Sequence, residues 1–496
     1  MPPLPLLVFV VGTGSLGAEI AAVRLLAPYF GASTIVWANT IGVVLVALSV
    51  GYWLGGRLAD RHPHMRGLCL LALSAAVLLA AVPFAADPLL DLGVDALDSV
   101  SAGAFLGSLL AVLVLVAVPV LLLGAVSPWA IRLAVSSVEE AGTVSGRLYA
   151  LSTAGSLVGT LVSALVLIPL LGTRRTFLAF ALVIALAAVA GLRPVWRWAL
   201  APGAIAVLFA LPIGTLKAQV ENGRVIHERE TEYQYARVVE RDDGTRLLEL
   251  NEGQVFHSYY RPGTSLTGHY PDDMLVLPLA GPCGAPRRVA ILGNAAGTLS
   301  RAYEEFFPST WVDGVEIDSE LSEIGRRYFH MDNPRLRLHH EDARPFLRRT
   351  HARYDAIQID AYRQPYIPFY LATREFFELA RSRLRPGGVV VINVGHPEDS
   401  DRLERVLSAT MGAAFPYVRR DRMEDTNTLL VAGERPLSGA RLSRARVPAG
   451  LRRVTGAAAA RLEPALGGGE VYTDDRAPVE WLIDRSIVHY AAGGGG

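Results

Sequence analysis

The sequence predicts a multi-span α-helical membrane domain followed by an α/β half, in which a small antiparallel β-hairpin domain precedes a doubly wound, S-adenosylmethionine-methyltransferase-like Rossmann sheet. Three observations carry this. Residues 1–216 hold repeated apolar runs near the length needed to cross a bilayer. From residue 288 short apolar strands alternate with helical stretches, the order that gives a mostly parallel sheet covered on both faces. Three consecutive strands of that series end in an acid: Glu316, Asp342 and Asp360. The expected division is a polytopic domain over 1–216, hairpins over 217–285, a nucleoside-binding catalytic domain over 286–436 and a C-terminal tail over 437–496.

Bulk properties narrow the class. A chain of 496 residues has room for two or three domains. It is 51% hydrophobic and only 19% charged, which is unusual for a soluble enzyme. The 47 basic and 47 acidic residues cancel, so charge gives no basis for nucleic-acid binding. Cys69 and Cys283 lie far apart and suggest neither a disulfide framework nor a zinc site, and no metal is expected.

Apolar runs fall near 5–27, 36–56, 67–86, 104–127, 148–171, 176–192 and 197–215, about seven helices. The first has no cleavage-type ending and reads as a span, not a removed signal. Gly and Ala within the runs permit close helix packing. Glu19 and Arg24 are ionisable groups in the first span, read as a structural pair or as an arginine reaching the interface. The loop 55–66 is basic and resembles the G-x-L-x-D-R turn of major-facilitator transporters. The loop near 86–103 carries Asp87, Asp91, Asp95 and Asp98 and no Arg or Lys. The positive-inside rule then puts the first loop in the cytoplasm and, five crossings later, the C-terminal half outside. Availability of a nucleoside favours a cytoplasmic catalytic half instead.

In the second half, residues 218–261 alternate and turn, with Asp242–Gly244 as one turn, and read as hairpins. Strands are expected at 288–293, 311–317, 336–341, 354–359 and 388–394, and helices at 298–306, 319–329, 371–384 and 401–413. Late strands near 416–422 and 428–433 complete the sheet. In the tail, 471–484 reads as ordered and the final glycines as disordered.

In such sheets a ligand sits beyond the carboxyl ends of the strands. Gly293, Asn294 and Gly297 follow the first strand and open a helix, where glycine lets backbone approach a ligand and leaves helix N–H groups free. Glu316 is placed to accept from both ribose hydroxyls. Asp342 is placed to accept from an adenine amino group. Asp360 stands at the reacting end. A pyrophosphate binder prefers G-x-G-x-x-G, whereas G-N-A-A-G-T suits a sulfonium nucleoside.

Residues 229–395 resemble a spermidine synthase (polyamine aminopropyltransferase), and the whole chain resembles the bacterial membrane-fused spermidine-synthase-like proteins. The matching pieces are TEYQ (231–234), LLELNEGQVFHS (247–258), ILGNAAGT, VEID, EDA, IDAY and LRPGG. GRLYALSTAGSLVGT (146–160) and TDDRAPVE (473–480) resemble the fused proteins in particular. The resemblance implies transfer of an aminopropyl group from decarboxylated S-adenosylmethionine, a co-substrate, to an amine, with release of methylthioadenosine. A protonated amine cannot attack, so a carboxylate must orient it and take its proton. The resemblance gives Asp360 that role and assigns nucleoside binding to Gln234, Glu316 and Asp342. Gln254 and Tyr270 line the site, and Tyr362 and Arg363 belong to a substrate-covering loop over 362–370.

The family's glycine-loop aspartate is Ala296 here, the second acid of its D-x-x-D element is Arg363, and its His-Glu pair is Pro271-Asp272. Each lost charged contact weakens a putrescine-like acceptor by roughly 1–3 kcal/mol. Asp474, Asp475 and Glu480 either restore acidic charge or cap a helix. The expected partners are a small amine, the lipid bilayer and a possible second copy of the chain, with no nucleic acid. Two alternatives stay open: a methyltransferase using intact S-adenosylmethionine, and a non-catalytic membrane protein sensing polyamine or nucleoside.

Overall fold

The computed structural model describes residues 4–30, 34–97, 103–211, 223–251, 256–362, 367–396, 400–479 and 482. It divides into two compact units, one of 1–219 with 228–235, the other of 220–227 with 236–496.

The first unit is helical: α1 (Leu4–Phe30), α2 (Thr34–Arg61), α3 (Met65–Leu97), α4 (Gly103–Leu115), α5 (Ala117–Ala134), α6 (Val138–Val162), α7 (Ile168–Leu171), α8 (Thr173–Val189), α9 (Val195–Trp198) and α10 (Leu200–Ala210). Among the described residues five helical stretches are long and apolar enough to cross a membrane: Leu4–Ala27, Val36–Arg61, Met65–Ala86, Ala117–Ala134 and Val138–Leu171. The sixth and seventh apolar runs form α8, of 17 residues, and the shorter α9–α10.

Proline explains two departures from the apolar pattern. The run 104–127 breaks after Leu115 because Pro119 offers no N–H to that carbonyl and its ring crowds it. Before Pro169, residues Ser163–Leu167 widen into a π-turn for the same reason. Two expected loops are helix instead. The segment 55–61 is the end of α2, where Asp60 meets Arg132 at 3.0 Å. Asp87, Asp91 and Asp95 lie on α3, which continues through Pro83 and Pro88, and Asp98 is outside the described residues.

The helices of this unit touch backbone to backbone. A Cβ on Gly155 or Gly159 of α6 would stand 2.2 and 2.0 Å from the carbonyl oxygens of Phe9 and Thr13 on α1. Gly51 and Gly55 of α2 meet Leu121 and Ala125 of α5 in the same way. Such contact is how helices associate where apolar burial against lipid gives little drive.

Next along the chain is a four-stranded sheet in the order β1 (Arg224–Glu230), β2 (Tyr235–Glu240), β3 (Arg246–Leu250), β4 (Phe256–Tyr260). The turn at 242–244 joins β2 to β3, with Gly244 at φ +78.

Then come α11 (Tyr270–Val276), β5 (Arg288–Leu292), α12 (Thr298–Phe306), β6 (Trp311–Val315), α13 (Ser319–Tyr328), β7 (Leu336–His339), α14 (Ala343–Arg349) and β8 (Tyr354–Ile359). They are followed by α15 (Arg374–Ser382), β9 (Leu384–Gly395), α16 (Arg402–Ala414), β10 (Tyr417–Arg422) and β11 (Asn427–Gly433). The chain closes with α17 (Gly439–Ser443), α18 (Arg452–Arg461) and β12 (Glu463–Pro464). The sheet order is β12-β10-β11-β9-β8-β5-β6-β7. Strands β5 to β9 are parallel, while β10, β11 and β12 pair antiparallel.

Side-chain alternation fills both faces. Ala290, Leu292, Ile357, Ile359, Val390 and Ile392 pack with Phe346, Phe376 and Phe377. Val289, Ile291, Ala356, Val389 and Val391 pack with Met274, Tyr303 and Phe306. This period of two is what a sheet covered on both sides requires. Two expectations are corrected. LRPGG is not a turn before the fifth strand but the irregular start of β9, with a register shift against β8 at Tyr354/Ala356. The tail beyond 435 carries more structure than the segment 471–484 alone. Leu437, Leu442, Leu451 and Ala458 are buried against the sheet, and Arg461 pairs with Asp421 at 2.7 Å and with Asp273.

Candidate active site

The sheet reverses its order between β5 and β8, since β5 is flanked by β6 on one side and β8 on the other. A crevice opens at such a switch point, beyond the carboxyl ends of the strands. The loop 293–297 and Asp360 border it. Gly293 is at φ +91, and a Cβ there would lie 2.4 Å from the Asp360 carbonyl oxygen. Gly297, at φ +89, caps α12 and presses on Met331.

The N–H groups of the loop itself, as distinct from those that open α12, are satisfied within the protein. Gly293 and Asn294 N–H both donate to Val315 O, and Gly297 N–H to Asn294 O. Ala295 N–H donates to Glu316 at 2.8 Å and Ala296 N–H to Ser258 Oγ at 2.9 Å. The turn is tight because Gly293 must pass the Asp360 backbone, and a tight turn satisfies its own donors. Where the family carries its loop aspartate, Ala296 is fully buried against β2 and β3.

Asp360 follows β8, and its N–H is held by Leu292 O at 2.8 Å. Tyr270, in the first turn of α11, donates its hydroxyl to Oδ2 at 3.0 Å, and Asn393 Nδ2 donates to Oδ1 at 3.0 Å. Burial raises the carboxyl pKa to about 6, against the pull of these two donors. Burial, then the Asp360 charge, pushes the Tyr270 phenol well above its ordinary range.

Glu316 follows β6 and accepts from Ala295 N–H and, at 3.0 Å, Asp318 N–H. Burial lifts its pKa to about 7, with the backbone donors opposing. Each of its oxygens retains acceptor capacity. Asp342 caps α14 by accepting from Arg344 N–H at 2.9 Å, and it accepts from the Tyr370 hydroxyl at 2.6 Å. Tyr362 donates to Asn393 O at 2.9 Å and accepts from Gly395 N–H at 2.7 Å, which fixes it on β9. Gln234 lies in the β1–β2 turn, where its carbonyl accepts from Thr231. Gln254 and Arg363 lie outside the described residues, as does Glu480.

Two acids weighed from the sequence are engaged elsewhere. Asp474 forms a fork with Arg344 at 2.8 and 2.5 Å and accepts from Thr373. Asp272 accepts from Thr267 and Gly268 within its own turn.

A cavity of about 230 Å³ adjoins Asp360. Tyr270, Asn294, Met274 and His269 line it, with Glu424 from the β10–β11 connection and Asn427 at the start of β11. His269 Nδ1 and Glu424 Oε1 are 2.9 Å apart, and this hydrogen bond raises the imidazole pKa against burial. Asn427 Nδ2 donates to Asn393 Oδ1 at 2.9 Å, which links the connection to Asp360. Asn393, His269, Glu424 and Asn427 were not picked out from the sequence. Asn393 was findable, because it lies near the carboxyl end of β9. Glu424 and Asn427 enter through antiparallel pairing of β11 on β9, which carries no local signal, and His269 precedes α11 beside Tyr270.

Fold and site together define a doubly wound α/β unit with a half-buried carboxylate at its switch point. Residues 270–421, within the second unit, match the spermine/spermidine synthase domain. The chain is 32% identical over 191 residues to a probable polyamine aminopropyl transferase of Bifidobacterium longum, covering 38% of this chain and 42% of that protein. It is 33% identical over 199 residues to a polyamine aminopropyltransferase of Vibrio vulnificus, covering 38% of this chain and 66% of that one. The chain thus spans about half to two thirds of the length of these curated relatives, which are transferases. Among solved structures it is similar to a probable spermidine synthase from Corynebacterium glutamicum. That match has 21% identity and a TM-score of 0.38, covering 52% of this chain and 100% of that one.

Proposed function

We propose that the chain is a membrane-anchored polyamine aminopropyltransferase that uses decarboxylated S-adenosylmethionine. The observation that carries the reading is Asp360, a half-buried carboxylate oriented by two donors and facing a cavity at the switch point. The match of 270–421 to the spermine/spermidine synthase domain supports the chemistry. Five long apolar helices support the anchor. The reading puts the second unit on the cytoplasmic side, where nucleoside co-substrates are made.

In this reading the neutral acceptor amine attacks the methylene beside the sulfonium. The N–C bond forms as the C–S bond breaks, sulfur keeps the electron pair, and methylthioadenosine leaves uncharged. That neutral amine arises when Asp360, whose pKa is raised to about 6, takes a proton from the incoming ammonium; the product leaves as a secondary ammonium and Asp360 returns its proton to solvent. Tyr270 and Asn393 hold the carboxylate in line. Glu316 takes the ribose hydroxyls on its remaining lone pairs, Asp342 the adenine amino group, and Gln234 a further nucleoside contact. Gly293 and Gly297 shape the loop beneath.

The test is steady-state assay of the full chain in detergent with decarboxylated co-substrate and a panel of amines. Methylthioadenosine is the expected product. Its absence with every amine, or S-adenosylhomocysteine formed from intact S-adenosylmethionine, overturns the reading.

A further inference from the structure

Among the described residues lining the cavity, the only carboxylates are Asp360 and Glu424, and no arginine or lysine lines it. The two acids lie on different elements, yet both raise the pKa of the Tyr270 phenol, which therefore sits within range of each. Apolar groups, among them Met274, Pro271 and Phe256, make up much of the wall. Asn294, only 5% exposed, also lines the cavity, and its Oδ1 has no hydrogen-bond partner among the described residues. Acids at two places, an apolar wall and no arginine or lysine among the described lining residues suit a chain of methylenes with a cation at each end.

We propose that Glu424 is the specificity-determining residue for the acceptor: it holds the distal ammonium of a diamine whose attacking nitrogen lies at Asp360. This rests on the aminopropyltransferase reading. His269 fixes one carboxylate oxygen of Glu424, and Oε2 has no hydrogen-bond partner among the described residues, so it is available to an ammonium. The position is held relative to Asp360 through Asn427 and Asn393, and by His396 N–H donating to Thr426 O at 2.8 Å. The acids neighbouring Tyr270 in sequence cannot serve. Asp272 is taken by its own turn, and Asp273 by Arg461. Glu424 thus supplies, from the β10–β11 connection, negative charge that Ala296 does not.

The test compares putrescine with butylamine, a monoamine of the same carbon length, on the full chain in detergent. For Glu424→Gln the KM for putrescine rises by about tenfold or more, with kcat within about threefold. The butylamine KM stays within about twofold, and Glu424→Asp recovers most of the putrescine KM. Equal changes for both amines, or none for either, overturn the proposal. Calorimetric binding of putrescine to wild type and Glu424→Gln, each checked by thermal melting, separates the two levels of inference. Loss of putrescine binding in the variant without any transfer by the wild type removes the reaction but keeps Glu424. Unchanged binding removes Glu424 whatever the reaction.

Discussion

The two units of this chain use glycine for opposite purposes. In the helical unit Gly155, Gly159, Gly51 and Gly55 keep helical backbone and remove a side chain so that a neighbouring helix can close in. In the α/β unit Gly293 and Gly297 adopt positive φ, bending the chain where another residue would be strained. The outer surfaces differ in the same sense. Leu45, Val46, Trp53, Leu157, Leu165 and Leu170 are exposed on the helices, whereas large exposed apolar residues are sparse on the second unit. One unit is thus built for an apolar surrounding, with contact as its adhesive. The other buries carboxylates and matches each with donors, as a reaction site demands.

Asp360→Asn gives the largest effect that sharpens this contrast. It lowers kcat by about 10²–10⁴-fold, read as methylthioadenosine release. The same change does not weaken the fold at pH 8. With its pKa raised to about 6, the carboxyl contributes stability below its unfolded value that is lost as pH rises through 6. Ionised Asp360 is therefore a burden at pH 8, and the variant melts no lower than wild type.

The paired change Gly159→Ala and Gly293→Ala tests the glycines directly. The first drives a methyl into Thr13 O and separates α1 from α6, costing about 1–3 kcal/mol, seen as a lower melting temperature in detergent. Folded protein retains its turnover. The second displaces Asp360 as well as straining the loop, so turnover falls even in the folded fraction. Equal loss of turnover in both would break the comparison. The smallest effect is with pH: kcat/KM declines as pH falls through about 6, and Asp360→Asn flattens that limb.

Most of the α/β sheet was legible because each strand alternates and ends in a small or acidic residue. The expected helix 298–306 matches α12 residue for residue, and the expected strand at 354–359 matches β8. Asp360, Tyr270 and Glu316 were legible as strand-end or motif residues. Less visible were features set by partners distant in sequence. Arg461 reaches Asp421 across the tail, and Glu424 reaches His269 across 155 positions. Prolines hid the helix breaks, because Pro119 and Pro169 sit inside runs that are otherwise uniformly apolar.

The switch point between β5 and β8 has a consequence for how such a protein can change. Loops after β5, β6 and β7 carry the groups assigned to the nucleoside, while β9 and the β10–β11 hairpin carry those assigned to the amine. Asp360 stands on the seam. On the proposed reading, most donor contacts and the acceptor contacts occupy separate halves of one sheet. Substitutions in the 423–427 connection can retune the acceptor while the costly sulfonium pocket is inherited intact.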